Sequence, residues 1–186
     1  TTVQADAFNG LTVNNDLYLY NTGLTIIPAY AFNGLIVDNN LYLNNNTSLT
    51  TIEPDAFSGS TVTGDLYLTY NTSSTTIGPY AFNGLTVSGN LYLYANQALR
   101  TIGPYAFYGL TVHNLYLYHN SALAKIEANA FTGLAVTDDL YLFRNSALAK
   151  IEANAFTGLT VTGNLDLTYN TALTTIVAYA FDEFTV

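Results

Sequence analysis

The chain of 186 residues contains no cysteine, no methionine and no tryptophan, and only four of its residues are basic: Arg100, Lys125, Arg144 and Lys150. Each absence removes a class of function. Without cysteine there is no disulfide framework, no thiolate zinc site and no thiol nucleophile. Thirteen acidic residues against four basic ones give a formal charge of −9. A positive footprint for phosphate backbones is therefore missing, and neither nucleic acid nor an anionic membrane is an expected partner. No apolar run reaches the roughly 18–20 residues that span a bilayer, so no transmembrane segment is expected. The chain does not begin with methionine and shows no signal peptide, which points to a mature product or an excised segment.

What is present is a repeat of 24 or 25 residues. Phe recurs at 8, 32, 57, 82, 107, 131, 156 and 181, each preceded by Ala and followed five residues later by Val, from Val13 to Val186. Ile or Val stands five before each Phe: Val3, Ile27, Ile52, Ile77, Ile102, Ile126, Ile151 and Ile176. Between these blocks lie strand-like triplets, Leu-Tyr-Leu at 17, 41, 66, 91, 115 and 140 and Leu-Asp-Leu at 165. Each triplet is followed by an Asn: Asn21, Asn46, Asn71, Asn96, Asn120, Asn145 and Asn170. The register slips by one residue twice, before Asn21 and before Leu115.

The pattern V-x-x-x-L-Y-L-x-x-N-x-x-L-x-x-I-x-x-x-A-F-x-G-L-x-V resembles the leucine-rich repeat family, in particular its extracellular members with an AFxGL segment. The likeness extends over essentially the whole chain. It departs from the family in two spacings: Leu49 follows Asn46 by three residues rather than two, and Val62 precedes Leu66 by four rather than three. The resemblance implies an α/β-type curved solenoid, a single unit over 1–186 of about seven repeats. It would carry a short-stranded parallel sheet on its concave face. Turns, 3₁₀ or short helical segments would line the convex side, with Pro54, Pro79 and Pro104 at helical first turns. Both ends fall in mid-repeat without an amphipathic cap, so the solenoid reads as uncapped.

Strand alternation sends the two Leu of each triplet inward and the residues between and beside them outward. The central outward column is Tyr18, Tyr42, Tyr67, Tyr92, Tyr116, Tyr141 and then Asp166. Tyr94 and Tyr118 stand in the column after it, and Asp65 and Asp139 in the column before it. Tyrosine suits strands and stacks on itself across a parallel sheet. It is also a rigid, polar-tipped contact residue, so the eight tyrosines, with Asp65 and Asp139, form a candidate binding strip for a protein or glycan ligand. The Asn column reads as a structural ladder, because an amide that both donates and accepts satisfies backbone groups at a turn. Gly two after each Phe suits a left-handed turn, and Glu183 replaces it in the last repeat.

Little chemistry is visible beyond these columns. The two histidines, His113 and His119, lie beside strands without an acid–nucleophile set, and no Gly-rich phosphate loop or HExxH occurs. Acidic residues separated by whole repeats do not make the compact oxygen cage that calcium needs, so no metal and no cofactor is expected. A Thr column at 12, 61, 86, 111, 160 and 185 is interrupted by Ile36 and Ala135. Asn45, Asn46 and Asn71 begin glycosylation sequons, and Asn45 is the better acceptor because the other two are ladder residues. The expected function is non-catalytic: an extracellular or cell-surface structural and adhesive protein that stacks end to end into filaments. The alternative is a ligand-binding ectodomain fragment that uses its Tyr-lined face.

Two core positions are underfilled, Ser60 and Ser74, each standing where other repeats carry Leu. Replacing Ser74→Leu is expected to stabilise the chain by about 1 kcal/mol, read as a higher melting temperature. A lower one would remove Ser74 from the core column.

Overall fold

A computed structural model describes residues 2–185, so Thr1 and Val186, the outermost positions of the first and last repeats, lie outside it. Each repeat closes one coil with three two-residue strands, and the coils stack into three parallel seven-stranded sheets. One sheet is built from pairs such as Thr61–Val62, the second from pairs such as Leu66–Tyr67, and the third from pairs such as Thr76–Ile77. They are called here the valine, tyrosine and isoleucine sheets. Register is strict: Val62 pairs with Val87, Tyr67 with Tyr92 and Ile77 with Ile102.

The inward residues are the repeat's aliphatic positions. In the middle coils the Val, both Leu of the triplet and the Ile are all buried. The Phe residues stack through the centre with ring centroids 4.8–5.2 Å apart. Burying one such side chain contributes about 1.5–3 kcal/mol, and a favourable ring pair adds about 0.5–1.5 kcal/mol. Ser60 and Ser74 are buried with them, and the Ser60 hydroxyl donates to the Phe32 carbonyl.

The expected helical side does not form. Among the described residues no helix of any kind occurs, and the Ala-Phe segment is a run of turns. Its backbone explains why. In the fourth coil Ala81 donates to Gly78, Asn83 to Tyr80 and Leu85 to Phe82, each closing a turn. The intervening Phe82 and Gly84 amides instead donate to Ala106 and Tyr108 of the next coil, both at 2.9 Å. Left-handed residues make this alternation possible, Tyr80 with φ 55° and Gly84 with φ 61°. Pro79 followed by a positive-φ residue has the signature of a type II turn, not of a helical first turn, and Pro54 and Pro104 share it. Glu183 adopts φ 53° at the glycine position, so the last turn keeps its shape with a costlier residue.

These turns give a coil that is hydrogen-bonded to its neighbours on every side. Leu66 donates to Asn90 on the tyrosine sheet, Thr86 to Ser60 on the valine sheet, Thr75 to Thr50 on the isoleucine sheet and Phe57 to Ala81 along the turns, all at 2.8–3.0 Å. Strand-like spacing to the neighbouring coils therefore runs along the sheets and the turns alike, with no helix among the described residues to widen one side.

The Asn residues occupy the corner after the tyrosine sheet. Asn46, Asn71, Asn96, Asn120, Asn145 and Asn170 are buried. The Oδ1 atom of Asn96 accepts the Asn71 amide at 2.8 Å, and its Nδ2 donates to Leu68 at 3.0 Å and Leu93 at 2.9 Å. Asn21 differs from the expectation. It is exposed with φ 51°, the conformation of Asn45, and Thr22 takes the ladder position. The Thr22 amide donates to Asn46 Oδ1 at 2.8 Å. The register slip therefore falls after Thr22, at Gly23 with φ 70°, rather than before Asn21.

Replacing Asn96→Ala strands the Asn71 amide and the Leu93 carbonyl in a buried corner, while the Leu68 carbonyl keeps its bond from Asn71 Nδ2. A loss of about 3 kcal/mol is expected in denaturant unfolding. A change under about 1 kcal/mol would show that water replaces the ladder there.

Candidate functional site

The outward face of the tyrosine sheet is the surface on which the sequence concentrates chemistry. Parallel strands in register place identical side chains one strand spacing apart, about 4.8 Å. Flat rings at that spacing stack. Tyr18, Tyr42, Tyr67, Tyr92, Tyr116 and Tyr141 form one continuous ladder with centroids 4.8–5.0 Å apart and planes 2–16° from parallel. A second ladder lies beside it: Tyr94, Tyr118 and Phe143, with centroids 4.8 Å and 4.7 Å apart. The two ladders meet edge to face, Tyr92 against Tyr94 and Tyr116 against Tyr118. Among the described residues all eight tyrosines of the expected strip thus lie on one face. The inner rings, Tyr42 through Tyr116, are covered on both faces and show solvent their edges, while the terminal Tyr18 and Tyr141 are stacked on one face only.

A basic corner borders the second ladder. His119 packs edge-on against Tyr118, and Arg144 lies 5.3 Å above the Tyr169 ring. Tyr169 and Arg144 carry no sequence signal that would have singled them out. The other histidine, His113, is on the valine sheet's outward side, where its Nδ1 lies 3.1 Å from Thr137 Oγ1.

Both carboxylate oxygens of Asp65 and of Asp139 accept hydrogen bonds within the face. The Oδ1 of Asp65 accepts the Asn90 amide at 2.7 Å, and its Oδ2 accepts the Tyr67 hydroxyl at 2.8 Å. Asp139 does the same, with the Asn164 amide at 2.7 Å and the Tyr141 hydroxyl at 2.6 Å. Asp16 repeats the pattern with Asn40 and Tyr18. The column of Asp and Asn before each triplet is thus a second ladder of side-chain oxygens, each capping an amide of the following coil. Among the described residues it breaks only between Asn90 and Asn114, which join side chain to side chain at 3.0 Å, where the corner is one residue shorter. The regular Asp/Asn choice before each triplet was the signal for this role.

The pairing sets the acid–base behaviour of the face. The hydrogen bond to Asp16 pushes the Tyr18 phenol up to about 12, and that to Asp139 does the same for Tyr141. Burial raises Tyr67, with the Asp65 bond adding to it. In return the Tyr18 and Tyr141 hydroxyls hold the Asp16 and Asp139 carboxyls below the usual range. Among the described residues no pocket forms, and no three His, Asp or Glu side chains gather where they could hold a metal ion. Of the sequon residues, Asn45 is exposed, whereas Asn46 and Asn71 are buried with their Nδ2 atoms donating to Leu43 and Leu68.

The repeat pattern described as BspA type leucine rich repeat region matches in six copies, over residues 1–137 and 75–186. The chain belongs to the BspA-type leucine-rich repeat family. No curated protein and no solved structure matches it. In this BspA-type chain no helix of the described residues is long and apolar enough to cross a membrane.

Phenols raised in the folded state contribute stability that is complete below the ordinary tyrosine value of 10.0 and is lost as the pH rises through about 12. Tyrosinate absorbance is expected to appear later in the native chain than in the denatured one, with stability to denaturant falling over that same interval. Coincident titration curves would show that the Asp–Tyr bonds do not hold in solution.

Proposed function

We propose that this BspA-type solenoid is a non-catalytic structural and adhesive segment, displayed outside the cell, that engages a protein partner through its tyrosine face. The observation that carries the reading is the pair of adjoining aromatic ladders on one sheet face. Tyrosine supplies large contact area at low side-chain entropy cost and dominates interface energetics. The framework keeps the rings preorganised, so little ordering remains to be done on binding. A protein is favoured over a glycan because stacking hides the ring faces on which a sugar would lie. A surface or extracellular setting is common in this family and agrees with the exposed acceptor Asn45.

End-to-end assembly into filaments is a second reading. Its support is the uniform polarity of the coils: each presents its successor with the same donors and acceptors, so another copy meets the surface that another coil would meet.

Beads coated with the chain are expected to adhere to protein-coated surfaces more than to glycan-coated ones. The double variant Tyr94→Ser, Tyr118→Ser spares the long ladder and should lower adhesion roughly tenfold, the effect of losing about 1.4 kcal/mol at a contact centre. Unchanged adhesion would move the contact off this face. Light scattering of the same preparations, constant across concentrations, would remove the filament reading.

A further inference from the structure

The absence of cysteine, methionine and tryptophan leaves tyrosine as the most readily oxidised side chain in the molecule, and there are sixteen. They are not scattered. The long ladder holds Tyr18 through Tyr141 in ring-to-ring contact, and Tyr94–Tyr118 and Tyr80–Tyr105 stack at 4.8 Å and 5.0 Å. We infer that the tyrosine face is a site of oxidative cross-linking. At it a one-electron oxidant of the haem peroxidase type, with hydrogen peroxide, joins rings of successive coils as dityrosine.

The reaction balances within those components. Two neighbouring phenols each give up one electron and the hydroxyl proton, becoming phenoxyl radicals. The radicals pair to form one carbon–carbon bond between ring positions ortho to oxygen. The hydrogens on those two carbons then move to the oxygens, which restores both phenols. The peroxide takes up the two electrons and two protons and leaves as two waters. The chain loses two hydrogen atoms for each link.

Three features of the face favour that outcome over other oxidations. The rings are already neighbours and near parallel, so pairing is intramolecular and needs no diffusion between chains. The Tyr18, Tyr67 and Tyr141 hydroxyls donate to carboxylates at 2.6–2.8 Å, so an acceptor for the departing proton is in place when the electron leaves. The ladder rings from Tyr42 to Tyr141 are half-buried, which lets an oxidant reach their edges while the framework keeps their faces together. Strict register makes the partner of each tyrosine its equivalent one coil away, so the links join residues 24 or 25 apart.

The test is to treat the dilute native chain with a haem peroxidase and hydrogen peroxide, then map cross-linked peptides by mass spectrometry. The same treatment of the denatured chain is the reference. The expected products are monomeric, lack two hydrogens per link and are dominated by neighbour pairs such as Tyr42–Tyr67 and Tyr116–Tyr141. Tyr67→Phe keeps the ring but not the phenol. It should lose the Tyr42–Tyr67 and Tyr67–Tyr92 products and keep Tyr116–Tyr141. Three results would each overturn the inference: the same pairings in native and denatured chains, addition of oxygen without coupling, or links only between chains through the exposed Tyr169 and Tyr179. The wild-type map decides the matter even if the variant folds poorly.

Discussion

Backbone hydrogen bonding between coils around their whole perimeter is the constraint from which the rest follows. A coil that must bond its neighbours on three sheets and along a run of turns has to keep one spacing everywhere. Helical segments are excluded by that demand, since a helix directs its amides along its own axis. Left-handed residues are required by it, because only alternating backbone handedness sends every second amide of the turn sideways. Sixteen described residues other than glycine accept positive φ, and tyrosine is among them at Tyr30, Tyr70, Tyr80, Tyr105, Tyr169 and Tyr179. The strain of each, about 1–2 kcal/mol, is offset by bonds that no other conformation would make.

The same constraint gives the two corner ladders opposite senses. Asn oxygens after the tyrosine sheet accept amides of the preceding coil, as Asn71 does for Asn46. Asp and Asn oxygens before it accept amides of the following coil, as Asp65 does for Asn90. Each coil is thus clamped from both directions at the two edges of one sheet. That rigidity holds the aromatic rings in register. It also gives Asp65 and Asp139 a framework role.

Much of this was legible in the sequence, and the boundary of legibility is physical. Inward positions were readable because aliphatic side chains recur at fixed offsets, and the tyrosine column because alternation leaves it no other side. The Ala-Phe segment was not readable, since Pro followed by a polar or aromatic residue suits a helical first turn and a type II turn alike. Only the sign of φ at Tyr80 or Asp55 separates them. Asn21 was misplaced because the identity of a residue outweighed its offset from the strand; Thr22 holds the ladder position, its amide and hydroxyl both donating to Asn46 Oδ1. The roles of Asp65 and Asp139 lay in contacts between repeats, which a pattern within one repeat does not display.

Every coil closes a loop of 24 or 25 residues and contacts only the coils beside it. The entropy of closing such a loop varies only with the logarithm of its length, so each added coil costs nearly the same and contributes nearly the same. Gain or loss of one copy by unequal recombination would therefore shift stability by a fixed increment and shorten or lengthen the aromatic face by one ring, without disturbing the remaining rungs. Copy number becomes a heritable ruler for the reach of the surface.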